Sequence, residues 1–227
     1  MGLLTALFWV ALTVAAYLAA RALAQRYNNP FCNIIFVSTG MMIAILLIFD
    51  MSYADYGSAK DLIAFFLGPA TVALAVPVYR NLHLFKEYGW AIVGAVGFGT
   101  VITVIIVVLI GKLGGLPPEM IASLAPKSAT IPIAVESARI QGGNPPLAVV
   151  FVVATGTFGS VLGLEILTRF KIRNPVARGL AMGTVSHGQG TAMAFTEGEQ
   201  QGAMAGVAMA LAGVLTALVV PAVLAVM

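Results

Sequence analysis

The chain has 227 residues, of which 60% are hydrophobic and only 9% charged, and its mean hydropathy is +0.99. Soluble domains carry about 25% charged residues, so a water-covered globule is excluded and an apolar exterior solvated by lipid is implied. The net charge of +3 comes from 12 Lys+Arg against 9 Asp+Glu; those charges sit in short loops, as a topology signal and not as a nucleic-acid surface.

A helix needs about 20 apolar residues to cross the hydrocarbon core, and eight segments approach that length. The first runs from Gly2 to Leu23. No basic stretch precedes it and Arg21 and Arg26 close it, so it reads as a helix with an outside N-terminus and not as a cleaved leader. The second is Phe31 to Phe49. The third, Leu62 to Tyr79, is interrupted at Gly68, Pro69 and Pro77. The fourth is Tyr88 to Ile110. The fifth, Pro118 to Ile140, contains Pro126 and Pro132. The sixth is Pro146 to Thr168, the seventh Val176 to Phe195, and the eighth Ala203 to Val226 with Pro221 near its end. The fold class is therefore all-α, a polytopic integral membrane protein of seven or eight segments in one transmembrane domain spanning residues 1–227.

Basic residues belong in cytoplasmic loops. Eight full crossings would put the loop with Arg169, Lys171, Arg173 and Arg178 outside. The conflict disappears if the fifth segment enters and returns on the outer side, with Pro126-Lys127-Ser128 at its tip. The basic loop then faces the cytoplasm, and Glu197 and Glu199 are expected on the opposite side. Segments two to four and six to eight then run in opposite senses, which predicts inverted repeats over about 31–112 and 145–227, with a site between discontinuous helices.

Three clusters combine helix breaks with polar residues. Proline removes an N–H and frees a carbonyl that must find another partner in lipid. At the first break, Gly68-Pro69 to Pro77, Thr71 offers a hydroxyl. At the second, Lys127 lies in the middle of an apolar segment between Pro126 and Pro132, with Ser128 and Thr130 beside it. An intramembrane cation is expensive and marks a functional site by default; Lys127 is expected to bind a carboxylate, assisted by the N–H groups of the following half-helix. The bland alternative is a lysine that snorkels to an interface. The third cluster is Ser186-His187-Gly188-Gln189-Gly190-Thr191: Gly188 and Gly190 permit unwinding, Ser186 can cap the next half-helix, and His187 titrates near neutrality and can couple protons, or can be a neutral histidine satisfied by a neighbouring helix. Glu136 either pairs with Arg139, three residues on, or acts as a coupling group. Glu165 and Arg169 have the spacing of a structural pair.

No catalytic set is evident, because adjacent Ser186 and His187 do not face each other on a helix. Two histidines, His83 and His187, and the single cysteine, Cys32, leave no expected metal site, and no cofactor motif is present. No enzyme activity is expected.

The stretches Phe66 to Pro77 (FLGPATVALAVP), Leu124 to Ala134 (LAPKSATIPIA) and Asn174 to Ala181 (NPVARGLA), the last running into Ser186 to Ala192 (SHGQGTA), resemble the LrgB/CidB family, including YohK-type bacterial proteins, over nearly the whole chain. Gln189 departs from the aliphatic residue expected there. The resemblance implies a multi-pass protein of the bacterial inner membrane, in contact with lipid, with an LrgA/CidA-type membrane partner and scope for homo-oligomers. It implies one of two functions: secondary transport of small monocarboxylates such as glycolate, glycerate or pyruvate, or a holin/antiholin-like role in murein hydrolase control and autolysis. A carboxylate substrate agrees with the independent reading of Lys127 and His187.

Overall fold

The computed structural model describes residues 3–27, 32, 34–66, 69, 72, 75–80 and 82–226. Those residues form ten helices and no strand. Four of the helices are long and apolar enough to cross a membrane: Leu4–Arg26, Lys86–Leu113, Pro145–Arg169 and Glu199–Val226. This is an all-helical membrane protein. Among the described residues the expected seven or eight comparable segments are not found as such: four helices reach that length, and the 118–140 segment is broken into two short helices.

The chain divides into two compact units, Met1–Val76 and Pro77–Met227. The first contains α1 (Leu3–Arg26), α2 (Ile34–Ile48) and α3 (Gly57–Phe65). Trp9 of α1 is buried edge-on against Tyr56, with ring centroids 5.9 Å apart. The Thr13 hydroxyl donates to the Trp9 carbonyl at 2.8 Å, so the contact of 3.1 Å with Tyr56 is made by the phenol donating to Thr13. The short helix α4 (Ala75–Arg80) holds Pro77 at the boundary. Gly68 and Thr71 lie outside the described residues, and Pro69 is an exposed helical residue.

The second unit contains α5 (Leu82–Leu113), α6 (Pro118–Leu124), α7 (Ile131–Ile140), α8 (Pro145–Arg169), α9 (Pro175–Glu197) and α10 (Glu199–Val226). Two Asn-Pro steps start its central helices. Asn144 Oδ1 accepts the Leu147 N–H at 3.2 Å and Asn174 Oδ1 accepts the Ala177 N–H at 3.0 Å, each followed by proline in the first turn. A capping side chain and a proline that needs no donor together fix a helix start.

Helix directions follow from the packing. Ile92 and Val96 of α5 pack on Ala203, Met204, Ala208 and Ala212 of α10, while Val104 and Val108 pack on Val220. Numbers rise together, so α5 and α10 run parallel. Their starts are joined by Arg80 and Glu199, 3.8 Å apart. Helix α8 runs the other way. Its N-terminal Asn144 N–H donates to Ser123 Oγ at 2.7 Å, and Ile121 and Ala125 pack at the Val104–Val108 end of α5.

Helix α9 is not one rod. Arg178 Nε donates to Glu197 Oε2 at 2.7 Å and Nη2 to Oε1 at 2.5 Å, although 19 residues of continuous helix would separate them by about 28 Å. The break is at Ser186 (φ −119°, ψ 15°) and His187 (φ 40°, ψ −129°). Two helical arms fold back on each other, and both ends of α9 lie at the C-terminal end of α8. This corrects the expectation that Glu197 and Glu199 stand opposite the Arg169–Arg178 loop: they share its end. The cause is the Gly-rich 186–190 stretch, which reverses the chain where an interrupted helix that still crosses was expected. The expected Glu165–Arg169 pair does not form among the described residues, whereas Glu136 and Arg139 pair as anticipated, at 2.7 and 3.1 Å.

Candidate functional site

Between α6 and α7 the chain leaves the helix over residues 125–130, and this turn carries Lys127. Pro126 is buried behind it, and Thr130 stands at the N-cap of α7 with Pro132 in its first turn. The Thr130 side chain makes no cap bond, so the first N–H groups of α7 have no helix-ladder partner. The reversal of α9 brings a second broken end to the same place. Lys127 and Ser186 both line one cavity of about 590 Å³, with Leu124, Phe151, Thr155 and Phe158. The cavity follows α8 from Phe151 to Leu167, a length of about 24 Å at 1.5 Å per residue.

Lys127 is half-buried, and its ammonium donates to Ser128 Oγ at 3.4 Å. Among the described residues no carboxylate lies within ion-pair distance of it. A desolvated cation without a counter-charge costs several kcal/mol, and an anion that shares the cavity offsets that cost.

The remaining residues of the third cluster are turned toward protein. His187 Nε2 meets the Val152 carbonyl at 3.0 Å, and its ring is buried. The Thr191 hydroxyl donates to the His187 carbonyl one turn earlier at 2.9 Å. Gln189 Oε1 is buried with no hydrogen-bond partner; a Cβ on Gly156 would stand 2.7 Å from it. Gly190 is buried against the first arm and Gly188 is exposed. Of the expected binding residues, Lys127 and Ser186 therefore share the cavity, Ser128 touches Lys127, and His187, Gln189 and Thr191 instead build the α9 tip. Thr71 lies outside the described residues.

Sequence reasoning missed the face of α8. Gly156, Gly159 and Gly163 let the α9 tip approach its backbone: a Cβ at Gly159 would overlap Ser186 Oγ, and one at Gly163 would stand 2.6 Å from Met182 Sδ. Thr155 is the cavity hydroxyl on that face. The signal was the spacing of small residues at helical intervals. Gly159→Ala is expected to destabilise the protein by about 1–3 kcal/mol through overpacking, read as a lower unfolding midpoint in detergent. Adding Ser186→Gly should recover most of that loss; a single variant as stable as the parent would show that the approach is looser than described.

The chain matches the LrgB-like family over residues 13–226. It is 35% identical over 210 residues to the protein YwbG of Bacillus subtilis (strain 168), covering 92% of this chain and 93% of that one. It is 36% identical over 210 residues to YxaC of the same organism, covering 92% and 91%. Over 219 residues it is 32% identical to the antiholin-like protein LrgB of Bacillus cereus (strain B4264), covering 96% and 95%. No solved structure matches it. Both tip motifs, with Lys127 and Ser186, fall inside the matched region, and the chain belongs to the LrgB-like family.

Proposed function

We propose that this chain is a secondary transporter of small monocarboxylates in the bacterial inner membrane, working by alternating access and without enzymatic chemistry. The observation that carries this reading is Lys127, a half-buried cation with no acidic partner among the described residues, on the same cavity as the α9 reversal. The positive-inside rule assigns the end with Arg80, Lys86, Arg169, Lys171 and Arg173 to the cytoplasm. The 118–140 segment then enters from outside and α9 enters from inside, so two broken hairpins of opposite sense meet near mid-depth. Such an arrangement suits an anion held by half-helix N-termini and released to either side as one hairpin moves against the other. The cavity along α8 would be the path to the cytoplasm, and a substrate with about two to four heavy atoms beside its carboxylate would fit among Thr155, Ser186 and the phenylalanines.

The names of the Bacillus cereus relatives favour a second reading more than the first: an antiholin-like subunit that modulates murein hydrolase activity and autolysis through an LrgA/CidA-type partner. One experiment separates the two. The purified chain, alone in sealed liposomes, is given labelled glycolate, glycerate, pyruvate and lactate. Transport predicts saturable uptake that unlabelled monocarboxylate suppresses. Uptake no greater than in protein-free liposomes, with permeability changes appearing only when the partner is added, would leave the regulatory reading standing.

A further inference from the structure

We propose that the cavity along α8 selects aliphatic carboxylates of about four to six carbons with no polar group along the tail. The inference rests on the anion site of the transport reading and narrows its substrate class. The cavity follows α8 from Phe151 to Leu167. Ser123 meets Asn144, ahead of that run, so the turn that carries Lys127 enters the cavity at its Phe151 end. Ser186 then stands level with Gly159, and Met182 with Gly163.

The wall changes character along its length. The side chains that carry a charge or a hydroxyl, Lys127, Thr155 and Ser186, all stand in the half that ends at Gly159. Beyond them the wall is Leu162, Gly163, Ile166, Leu167, Ala181 and Met182, with no hydroxyl, amide or charge among them. A carboxylate at Lys127 uses the polar end. A hydroxyl farther down the substrate would lose its water without gaining a partner, which is costly. A methylene in the same place is favoured, by about fourfold in affinity when fully buried.

Size points the same way. The volume of about 590 Å³ falls among sites that take drug-sized ligands, about 300–1,000 Å³, and a three-carbon acid fills a small part of it. The apolar stretch from Gly159 to Leu167 covers about 12 Å of α8, room for a chain of several carbons. Phe158, Ile166 and Val185 are exposed on its open side, where lipid acyl chains compete. Those chains bring no charge to the level of Lys127, so the ammonium selects an acid over a lipid tail.

The test measures binding and not flux, through the ligand-dependent rise in unfolding midpoint of the full chain in detergent. The probes are propionate, butyrate, pentanoate and hexanoate, which share one head group and differ by single methylenes, with 6-hydroxyhexanoate as the acid polar at its far end. The dissociation constant should fall about two- to fourfold with each methylene, and 6-hydroxyhexanoate should bind about tenfold more weakly than hexanoate. Lys127→Ala should remove binding of the whole series, which partitioning of the tails into detergent would not do. Ala181→Phe fills the far end and should weaken hexanoate by about four- to sixteenfold, to the level of butyrate. If that variant does not fold, Leu162→Ala, which removes wall area at a partly exposed position, should flatten the series instead. A flat series in the parent chain, 6-hydroxyhexanoate binding as tightly as hexanoate, or the full gain per methylene kept in the folded variant would overturn the tail groove. A flat series that still needs Lys127 leaves the transport reading standing, whereas a graded series without uptake in liposomes removes transport alone. No binding by any of these acids would remove the groove and the anion site together.

Discussion

Replacing Arg178 by alanine is expected to lower the unfolding midpoint by about 10 °C, the largest stability loss from any single change considered for this chain. Arg178 is buried and joins four parts of the second unit: both carboxylate oxygens of Glu197, the Ile172 carbonyl, the Leu164 carbonyl and the Thr168 hydroxyl. Removing one partner of such a pair strands the other and costs about 3–5 kcal/mol, and each kcal/mol moves the midpoint of a chain this long by about 2–4 °C. Glu197→Ala should cost nearly as much, since it leaves the guanidinium among carbonyls with no counter-charge. The double change Arg178→Met with Glu197→Leu should be milder than either single one, because no uncompensated charge remains. Thermal unfolding of the three variants decides it; additive losses in the double variant would mean the two residues act separately.

Lys127→Ala is expected to reduce monocarboxylate uptake by about two orders of magnitude, since losing a close charge pair to the substrate costs about 3 kcal/mol. The same variant should unfold at an equal or higher temperature than the parent, because a half-buried ammonium with no acidic partner among the described residues is unfavourable in the empty cavity. This opposition of effects separates a binding role from a structural one. A lysine that merely anchored the 125–130 turn would lower both quantities when removed, and normal uptake in the variant would place the anion elsewhere.

Helix positions were legible where the apolar pattern was long and its punctuation clear. The reading of Pro146 to Thr168 differs by one residue at each end from α8 (Pro145–Arg169), because Asn144 and the prolines start the helix and the basic loop ends it. The break between Pro126 and Pro132 was also legible, since prolines and a lysine leave few other conformations. What was not legible was the reversal at His187. Glycines at 188 and 190 announce permission to unwind but not the angle taken. That angle depends on three-dimensional neighbours: Gly156 and Gly159 on α8 make room for the tip, and Arg178 and Glu197 close the far end. His187 itself sits at φ 40°, a region costly for any residue but glycine, and its imidazole is held by the Val152 carbonyl. Polar residue type suggested a ligand at 187, 189 and 191; packing turned these residues inward. The cavity face of α8 went unnoticed because glycine and alanine carry no chemistry of their own.

The reversal in α9 also sets how the chain is threaded. The second unit keeps three long apolar helices, Lys86–Leu113, Pro145–Arg169 and Glu199–Val226. Three is odd, so Arg80 and the last turn of α10 emerge on opposite faces. In right-side-out spheroplasts an added protease should trim an epitope appended after α10 and spare one inserted beside Arg80; inverted vesicles should give the reverse pattern.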